Sequence, residues 1–140
     1  MRKTRTPKLS RAAIQHLIEL SPAVHYTANA SGDYGATFVS EGVMAQLGYE
    51  PTQFTQDSGF WISRTHPDDR SRVLAELEML FTSGRGVIEY RFQSADGHWH
   101  WMRDDVALIR DANGKPLEFL GSWLDITGRK EAEEALREAQ

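Results

Sequence analysis

Two hydrophobic periods divide the chain. In the first half, apolar residues recur every three to four positions, which is typical of helices packed by one face. This pattern predicts a helix over Arg11–Leu20 capped by Ser10 and a longer helix over Asp68–Ser83. Between them it predicts a short helix that starts at Ser40 and Glu41 and ends at Gly48, and another that starts near Pro51. In the second half, apolar and polar residues alternate, which indicates strands with one buried face.

Five strands are predicted from this alternation and from the turns that separate them. They are Val24–Ala28, Ala36–Val39, a strand carrying Ile88, Tyr90 and Phe92, His98–Arg110 and Pro116–Leu124. Turn-forming residues at 29–35, 95–97 and 111–114 join neighbouring strands as hairpins. Since the helices fall between the second and third strands, we predict an α+β domain whose antiparallel sheet is covered by helices on one face. Thr127 is expected to cap a final helix that runs to Gln140.

Composition and charge narrow the classes of protein. The 140 residues carry a net charge of −4 and no cysteine, which excludes disulfides and cysteine nucleophiles and argues against a basic nucleic-acid-binding surface. No apolar run approaches 18 residues, so no membrane insertion is expected in this segment. The basic N-terminus lacks the apolar stretch of a secretory signal, and we expect a cytoplasmic protein.

A series of short motifs makes the chain recognisable. In order, they are Gly48-Tyr49, Trp61, His66-Pro67-Asp68-Asp69-Arg70, Asp96-Gly97 before Trp101, Arg110-Asp111 before Asn113-Gly114, Gly121, and Asp125-Ile126-Thr127 followed by Arg129-Lys130. With these spacings, residues 21–140 resemble a PAS domain with a PAC-like C-terminal half. The resemblance implies a five-stranded antiparallel sheet in the order 2-1-5-4-3, a small-molecule pocket between sheet and helices, and a sensory or dimerisation role.

The same resemblance suggests how the chain is organised. It gives an N-terminal flanking helix over residues 1–20, a PAS domain over 21–126 and a linker helix over 127–140. The linker helix has few apolar residues, and a helix of this length is marginal in water without a partner. It resembles helices that lead into a histidine kinase or diguanylate cyclase output domain. We therefore expect a piece of a longer protein, with a stand-alone chain as the alternative.

The inner face of the sheet holds the candidate pocket residues. Both faces of the strand His98–Arg110 carry bulky side chains, so alternation alone does not say which face is buried. The resemblance places Met102 and Asp104 inside. The candidates are Tyr90, Phe92, Met102, Asp104 and Trp123, with His25 as a weaker one. Asp104 is either a ligand anchor or the acceptor of a structural hydrogen bond from a neighbour such as Tyr90, and the aromatic side chains could instead fill the core completely.

The outer face carries the candidate dimer surface. Trp99 and Trp101 are expected to point outward, where an apolar patch needs a cover. The apolar stripe of the first helix, namely Ile14, Leu17 and Ile18, or a second protomer could supply it, and we expect a homodimer. By the resemblance, the junction Asp125, Ile126 and Thr127 relays changes in the sheet to the linker helix.

Cofactor and metal chemistry finds little support. Haem-binding PAS domains use an axial histidine on the long helix, which has none here, and flavin photochemistry through a cysteine adduct is excluded. Non-covalent flavin is left open. His98 and His100 share a strand face with Asp104, but a structural zinc site would need four ligands, so no metal and no enzyme activity are expected. The alternatives to a ligand sensor are a flavin-bearing redox or light sensor and a ligand-free interaction domain.

Overall fold

A five-stranded antiparallel sheet in the order 2-1-5-4-3 forms the frame of the molecule, as predicted. The computed structural model describes residues 8–140. The strands are β1 (Val24–Asn29), β2 (Ala36–Val39), β3 (Arg85–Gln93), β4 (Trp99–Arg110) and β5 (Pro116–Asp125). The helices are α1 (Arg11–Leu20), α2 (Gly42–Leu47), α3 (Pro51–Thr55), α4 (Phe60–Arg64), α5 (Arg70–Ser83) and α6 (Thr127–Glu138).

The register of the three long strands sets which side chains meet. Asp104 on β4 lies opposite Ile88 on β3 and Trp123 on β5, while Met102 lies opposite Tyr90. All five side chains are buried beneath the helices, which confirms the predicted inward face. Because side chains alternate across a strand, Trp99 and Trp101 lie on the outer face.

Helices α2 to α5 cover the inner face and close the core. Helix α3 packs on β2 and α5 packs on β3. The apolar stripe of α5 buries Val73, Leu77 and Leu80 against the strands. Each fully buried side chain of this size contributes about 1.5–3 kcal/mol, so the packing of the helices, and not their short length, holds them in place.

The start of α5 holds two adjacent acids in different environments. Only Asp68 is exposed. Asp69 is buried, and its carboxylate accepts bonds from the Arg91 guanidinium at 2.8 and 3.0 Å and from the Arg91 backbone N–H at 2.9 Å. The side-chain bonds from Arg91 lower the pKa of the Asp69 carboxyl, although burial acts to raise it. The Asp69–Arg91 bonds therefore join the start of α5 to β3. The helix begins one residue after Asp69, at Arg70.

The first helix does not cover the outer tryptophans within one chain. Ser10 caps α1 as predicted, accepting a bond from the Ala13 N–H at 3.0 Å. None of the residues of α1 is buried, and Ile14 and Leu17 are exposed while Ile18 is half-buried. The expectation that this stripe covers Trp99 and Trp101 is thus wrong for the isolated chain. The segment 1–7 of the predicted flanking helix lies outside the described residues.

Candidate functional site

A small cavity of about 50 Å³ lies between the inner face of the sheet and the helices. Its wall is largely aromatic and aliphatic, with one carboxylate. The lining residues are Tyr26, Ala28, Tyr34, Ala36, Val39, Phe54, Trp61, Leu77, Tyr90, Asp104, Phe119 and Trp123. Since one buried water needs at least about 10–15 Å³ by the same measure, the cavity has room for roughly three or four waters.

Asp104 is the charged centre of this wall. The Tyr26 hydroxyl donates to Asp104 Oδ1 at 2.6 Å, and the Tyr90 hydroxyl donates to Oδ2 at 2.8 Å. The Trp61 indole N–H in turn donates to the Tyr90 oxygen at 2.9 Å. Trp61, Tyr90 and Asp104 therefore form a chain of hydrogen bonds, and Asp104 also accepts a bond from Tyr26 on β1.

Burial dominates the electrostatics of this cluster. It raises the pKa of the Asp104 carboxyl to about 7, although the two tyrosine hydrogen bonds act to lower it. Burial and the nearby Asp104 charge also raise the pKa of Tyr26 and of Tyr90 well above 10.0. Both phenols therefore stay protonated near neutral pH and remain donors, while Asp104 changes charge in that range.

Tyr26 reaches Asp104 because the intervening residue on β5 is a glycine. Gly121 lies opposite Tyr26 in the β1–β5 register and opposite Val106 on β4. A Cβ at Gly121 would overlap the Tyr26 ring and hydroxyl, so the phenol can cross β5 only over a residue without a side chain. The Gly121 motif in the sequence thus has a structural reason in the geometry of the cavity.

Trp123 adds an indole N–H to the polar groups of the residues that line the cavity. Its ring packs edge-on against Phe92, with centroids 4.7 Å apart, and its side chain is buried. The indole Nε1–H is buried and makes no hydrogen bond of ordinary geometry to a described residue, although its proximity to the Tyr90 oxygen acts to lower the pKa of that phenol. Unpartnered buried donors are uncommon, and this one belongs to a cavity wall.

The structure places the predicted pocket residues in three groups. Tyr90, Asp104 and Trp123 line the cavity, as predicted. Phe92 and Met102 are fully buried in the core but are not part of the wall, because their side chains pack beyond it. His25 is a poor candidate, since it alternates with buried Val24 on β1 and so lies on the outer face.

Sequence reasoning missed two tyrosines of the wall. Tyr26 alternates with the apolar residues Val24 and Ala28, and that pattern could have placed it on the inner face. Tyr34 lies in the β1–β2 connection with φ 58°, a conformation that few non-glycine residues adopt, and its ring packs 5.7 Å from Phe119. A turn predicted from composition gives no information on where one side chain within it points.

The junction between sheet and linker helix is a dense hydrogen-bond network. Asp125 Oδ1 accepts from the Thr127 N–H at 2.9 Å and from the Thr127 hydroxyl at 2.5 Å, and Oδ2 lies 2.8 Å from His100 Nδ1. The Trp101 N–H donates to Thr127 Oγ1 at 3.0 Å, and the Ile126 N–H donates to the Trp101 carbonyl at 2.8 Å. The start of α6 is therefore fixed to β4.

Thr127 does not cap α6 as the sequence suggested. The residue before the helix is Ile126, and Thr127 is its first residue. The Thr127 hydroxyl donates to Asp125 and accepts from the Trp101 N–H, and it does not cap the first turn of the helix. Asp125 takes over this role by accepting the Thr127 N–H.

Comparison with known proteins assigns the family. The family model described as PAS fold matches residues 36–123. The chain belongs to the PAS family. It is 31% identical over 140 residues to the two-component sensor PprA of Pseudomonas aeruginosa, covering 99% of this chain and 15% of PprA. The chain thus corresponds to a minor part of that relative, and similar PAS domains occur in histidine kinases and diguanylate cyclases.

Solved structures agree with the PAS assignment. A sensory box histidine kinase/response regulator from Burkholderia thailandensis has a TM-score of 0.70 and 27% identity, covering 90% of this chain and 93% of that one. The N-terminal domain of a diguanylate cyclase with a PAS/PAC sensor, from Marinobacter aquaeolei, has a TM-score of 0.69 and 25% identity, covering 77% and 98%. PAS domains are sensory modules that in general carry no catalysis.

The PAS cavity does not fit a flavin in this structure. Pockets for ligands of that size measure about 300–1,000 Å³, whereas the cavity measures about 50 Å³. Metal ligation is disfavoured as well, because His100 is bonded to Asp125 and to Ser94 whereas Asp104 is bonded to two tyrosines.

Within residues 8–140, no helix is both long and apolar enough to cross a membrane.

Charged residues at the start of α6 dock the helix on the outer face of the PAS sheet. Arg129 and Lys130 form ion pairs with Glu89 on β3 at 2.7 and 2.9 Å. The Lys130 ammonium also lies 4.9 Å from the centre of the Trp101 ring, a cation–π arrangement. Trp101 is therefore half-buried under this turn, while Trp99 is 41% exposed. Sequence reasoning did not identify Glu89, since its partners Arg129 and Lys130 lie 40 and 41 residues later in the chain.

Asp125→Asn tests whether this junction holds the linker helix. An amide accepts fewer bonds than a carboxylate, and loss of a cap of this kind costs about 1 kcal/mol. We expect hydrogen exchange of the Thr127 amide to become about fivefold faster, with little change in the protection of β3. Asp111→Asn is the matched control, because Asp111 accepts two backbone N–H bonds in the β4–β5 turn. Equal exchange at Thr127 in both variants would contradict this assignment.

Proposed function

We propose that the chain is a sensory PAS module that binds a small ligand in the cavity and relays binding through α6 to an output domain. A histidine kinase or a diguanylate cyclase is the output domain that the relatives support. The observation that carries the proposal is the buried Asp104 cluster on the wall of a cavity. Burying a carboxylate that only neutral groups contact costs free energy of folding. A ligand that pairs with the carboxylate would offset this cost.

Strand β4 supports the relay part of the proposal. Asp104 lies on the cavity wall, and Trp101, three residues earlier on the same strand, is bonded to Ile126 and Thr127. A shift of β4 caused by a ligand would therefore reach the start of α6 directly. Such coupling requires the ligand to bind one arrangement of α6 more tightly than another.

A homodimer completes the proposed module. The exposed stripe of α1 and the outer tryptophan Trp99 are apolar surfaces that a second copy could bury. We assign residues 1–20 to a flanking helix, 21–126 to the PAS core and 127–140 to the linker. The module acts in the cytoplasm, where kinase and cyclase output domains have their nucleotide substrates.

Native mass spectrometry of the purified chain, with a cavity-filling variant, tests the proposal. We expect a dimer near twice 15.9 kDa that carries additional small-molecule mass. Ala28→Leu places a larger side chain in the cavity wall and should abolish the additional mass. Ala107→Leu, on the outer face of β4, should retain it.

Two outcomes would contradict the proposal. The ligand-free interaction domain would be favoured if the wild-type chain, after gentle purification, carries no additional mass and Ala28→Leu leaves its thermal stability unchanged. A monomer at all concentrations would remove the dimer. An absorbance band between 350 and 500 nm would instead favour the flavin-bearing alternative.

A further inference from the structure

We propose that the cavity binds a small ammonium compound with a neighbouring hydroxyl group, whose charged nitrogen pairs with Asp104. This inference rests on the proposed function, because it names the chemical class of the ligand for the same site. A vicinal amino alcohol such as ethanolamine is the simplest member of that class.

The charge of the wall favours a cation. Within residues 8–140, Asp104 is the only Asp or Glu that lines the cavity, and no lysine, arginine or histidine lines it. Its two hydrogen-bond partners, Tyr26 and Tyr90, are neutral. A buried carboxylate without a counter-ion is poorly stabilised, so a bound ammonium group would supply the missing charge, whereas an anion would repel it.

The hydrogen-bond inventory of the wall favours a ligand that donates. Each Asp104 oxygen accepts one bond and can accept another, and the Tyr26 oxygen has free lone pairs after its proton is committed to Asp104. An ammonium group offers up to three N–H donors to such acceptors. A carbonyl or carboxylate group would instead compete with the tyrosines as an acceptor.

Aromatic faces complete the environment of a cation. Seven of the twelve lining residues are aromatic. They are Tyr26, Tyr34, Phe54, Trp61, Tyr90, Phe119 and Trp123. Aromatic rings attract a desolvated cation through their negative faces, and rings gathered around one site are the usual means of binding ammonium ligands.

The unpartnered indole of Trp123 adds the second requirement. Trp123 lies directly opposite Asp104 across β4 and β5, and its Nε1–H makes no hydrogen bond of ordinary geometry to a described residue. A hydroxyl oxygen near the ligand nitrogen could accept this bond while the ammonium group contacts Asp104. The cavity has room for about four water-sized atoms, and ethanolamine has four non-hydrogen atoms.

Four probes of equal size separate the chemical classes. Ethanolamine, propylamine, ethylene glycol and acetate each have four non-hydrogen atoms and differ in charge and in hydroxyl content. Titrations at pH 8 are followed by the NMR shift of the Trp123 indole proton and by calorimetry. We expect saturable binding with ethanolamine tightest, propylamine at least fivefold weaker, and no saturation with ethylene glycol or acetate.

Two variants test the contacts with the ligand, and a third variant is the control. Asp104→Asn should weaken both amines at least tenfold, whereas Asp105→Asn should not, since Asp105 pairs with Arg85 away from the cavity. Trp123→Phe, read by calorimetry, should reduce the affinity for ethanolamine to that for propylamine. Amine binding that is unchanged in Asp104→Asn would overturn the inference.

Failure of this inference can be told apart from failure of the proposed function. If the native ligand proves to be neutral or anionic and Ala28→Leu excludes it, the cavity is a ligand site but the ammonium class is wrong. If no probe binds, no ligand mass accompanies the chain, and Ala28→Leu is without effect, both proposals are wrong.

Discussion

Gly121→Ala is expected to lower the free energy of unfolding by about 2.5–6 kcal/mol. The added Cβ would overlap the Tyr26 ring, which lies over Gly121 with its hydroxyl bonded to the Asp104 carboxylate. Forcing an extra carbon into a packed site costs about 1–3 kcal/mol, and displacing Tyr26 also removes a hydrogen bond to a charged group, worth about 1.5–3 kcal/mol. Urea unfolding followed by circular dichroism measures the change.

The design of the Gly121 experiment isolates the contact with Tyr26. Gly128→Ala is the matched control, because a Cβ there meets no atom within 4 Å and alanine favours the helix. Tyr26→Leu removes the phenol and should cost much less in the Gly121→Ala background than in the wild type. Equal costs in both backgrounds would show that Gly121 is required for some other reason.

Asp104→Asn is expected to remove a large part of the pH dependence of stability. The pKa of Asp104 rises from 3.8 to about 7 on folding because the carboxyl is buried. Between these values the folded state binds a proton that the unfolded state has lost, so stability falls as pH rises through this window. The loss amounts to about 4 kcal/mol, since a tenfold change in a protonation constant is worth about 1.4 kcal/mol.

The groups around Asp104 leave this expectation intact. Tyr26 and Tyr90 titrate well above neutral pH, and the facing side chains Ile88 and Trp123 do not titrate. The adjacent Asp105 carboxylate raises the pKa of Asp104 further. The free energy of unfolding of Asp104→Asn minus that of the wild type should therefore rise by about 4 kcal/mol from pH 4 to pH 8.

Stability curves at several pH values measure this difference directly. Urea unfolding of the wild type, Asp104→Asn and the control Asp105→Asn is compared from pH 4 to pH 8. Asp105→Asn should retain the wild-type slope. Curves for Asp104→Asn that run parallel to the wild type would show that the carboxyl is not held in a costly charged state near neutral pH.

The strands and most helices could be predicted from the sequence because their signals are local. Ile88, Tyr90 and Phe92 alternate with polar residues, and this pattern alone places them on a buried face. Strand order came from the family resemblance, since periodicity does not say which strands are neighbours. The same holds for β4, where Trp101 and Met102 are both bulky and only the tertiary structure confirms which is inside.

The cavity could be predicted only in part because its contacts join distant segments. Asp104 was recognisable as an anomalous acid on an apolar face, yet its partner Tyr26 lies 78 residues earlier in the chain. His25 and Tyr26 are neighbours on one short strand, and although alternation with Val24 and Ala28 favours Tyr26 as the inward residue, it does not show that the phenol reaches Asp104. That contact depends on the pairing of β1 with β5, where Gly121 leaves room for the phenol.

The sequence by itself determined the strands, most of the helices, the buried face of β3 and, through its motifs, the family. The tertiary structure decided which of two adjacent acids is buried, since Asp69 meets Arg91 only after α5 packs on β3. It also decided that Trp101 is covered by the start of α6 while α1 stays exposed. Local patterns report the environment averaged over an element, whereas a single hydrogen bond depends on the position of a partner that another part of the chain supplies.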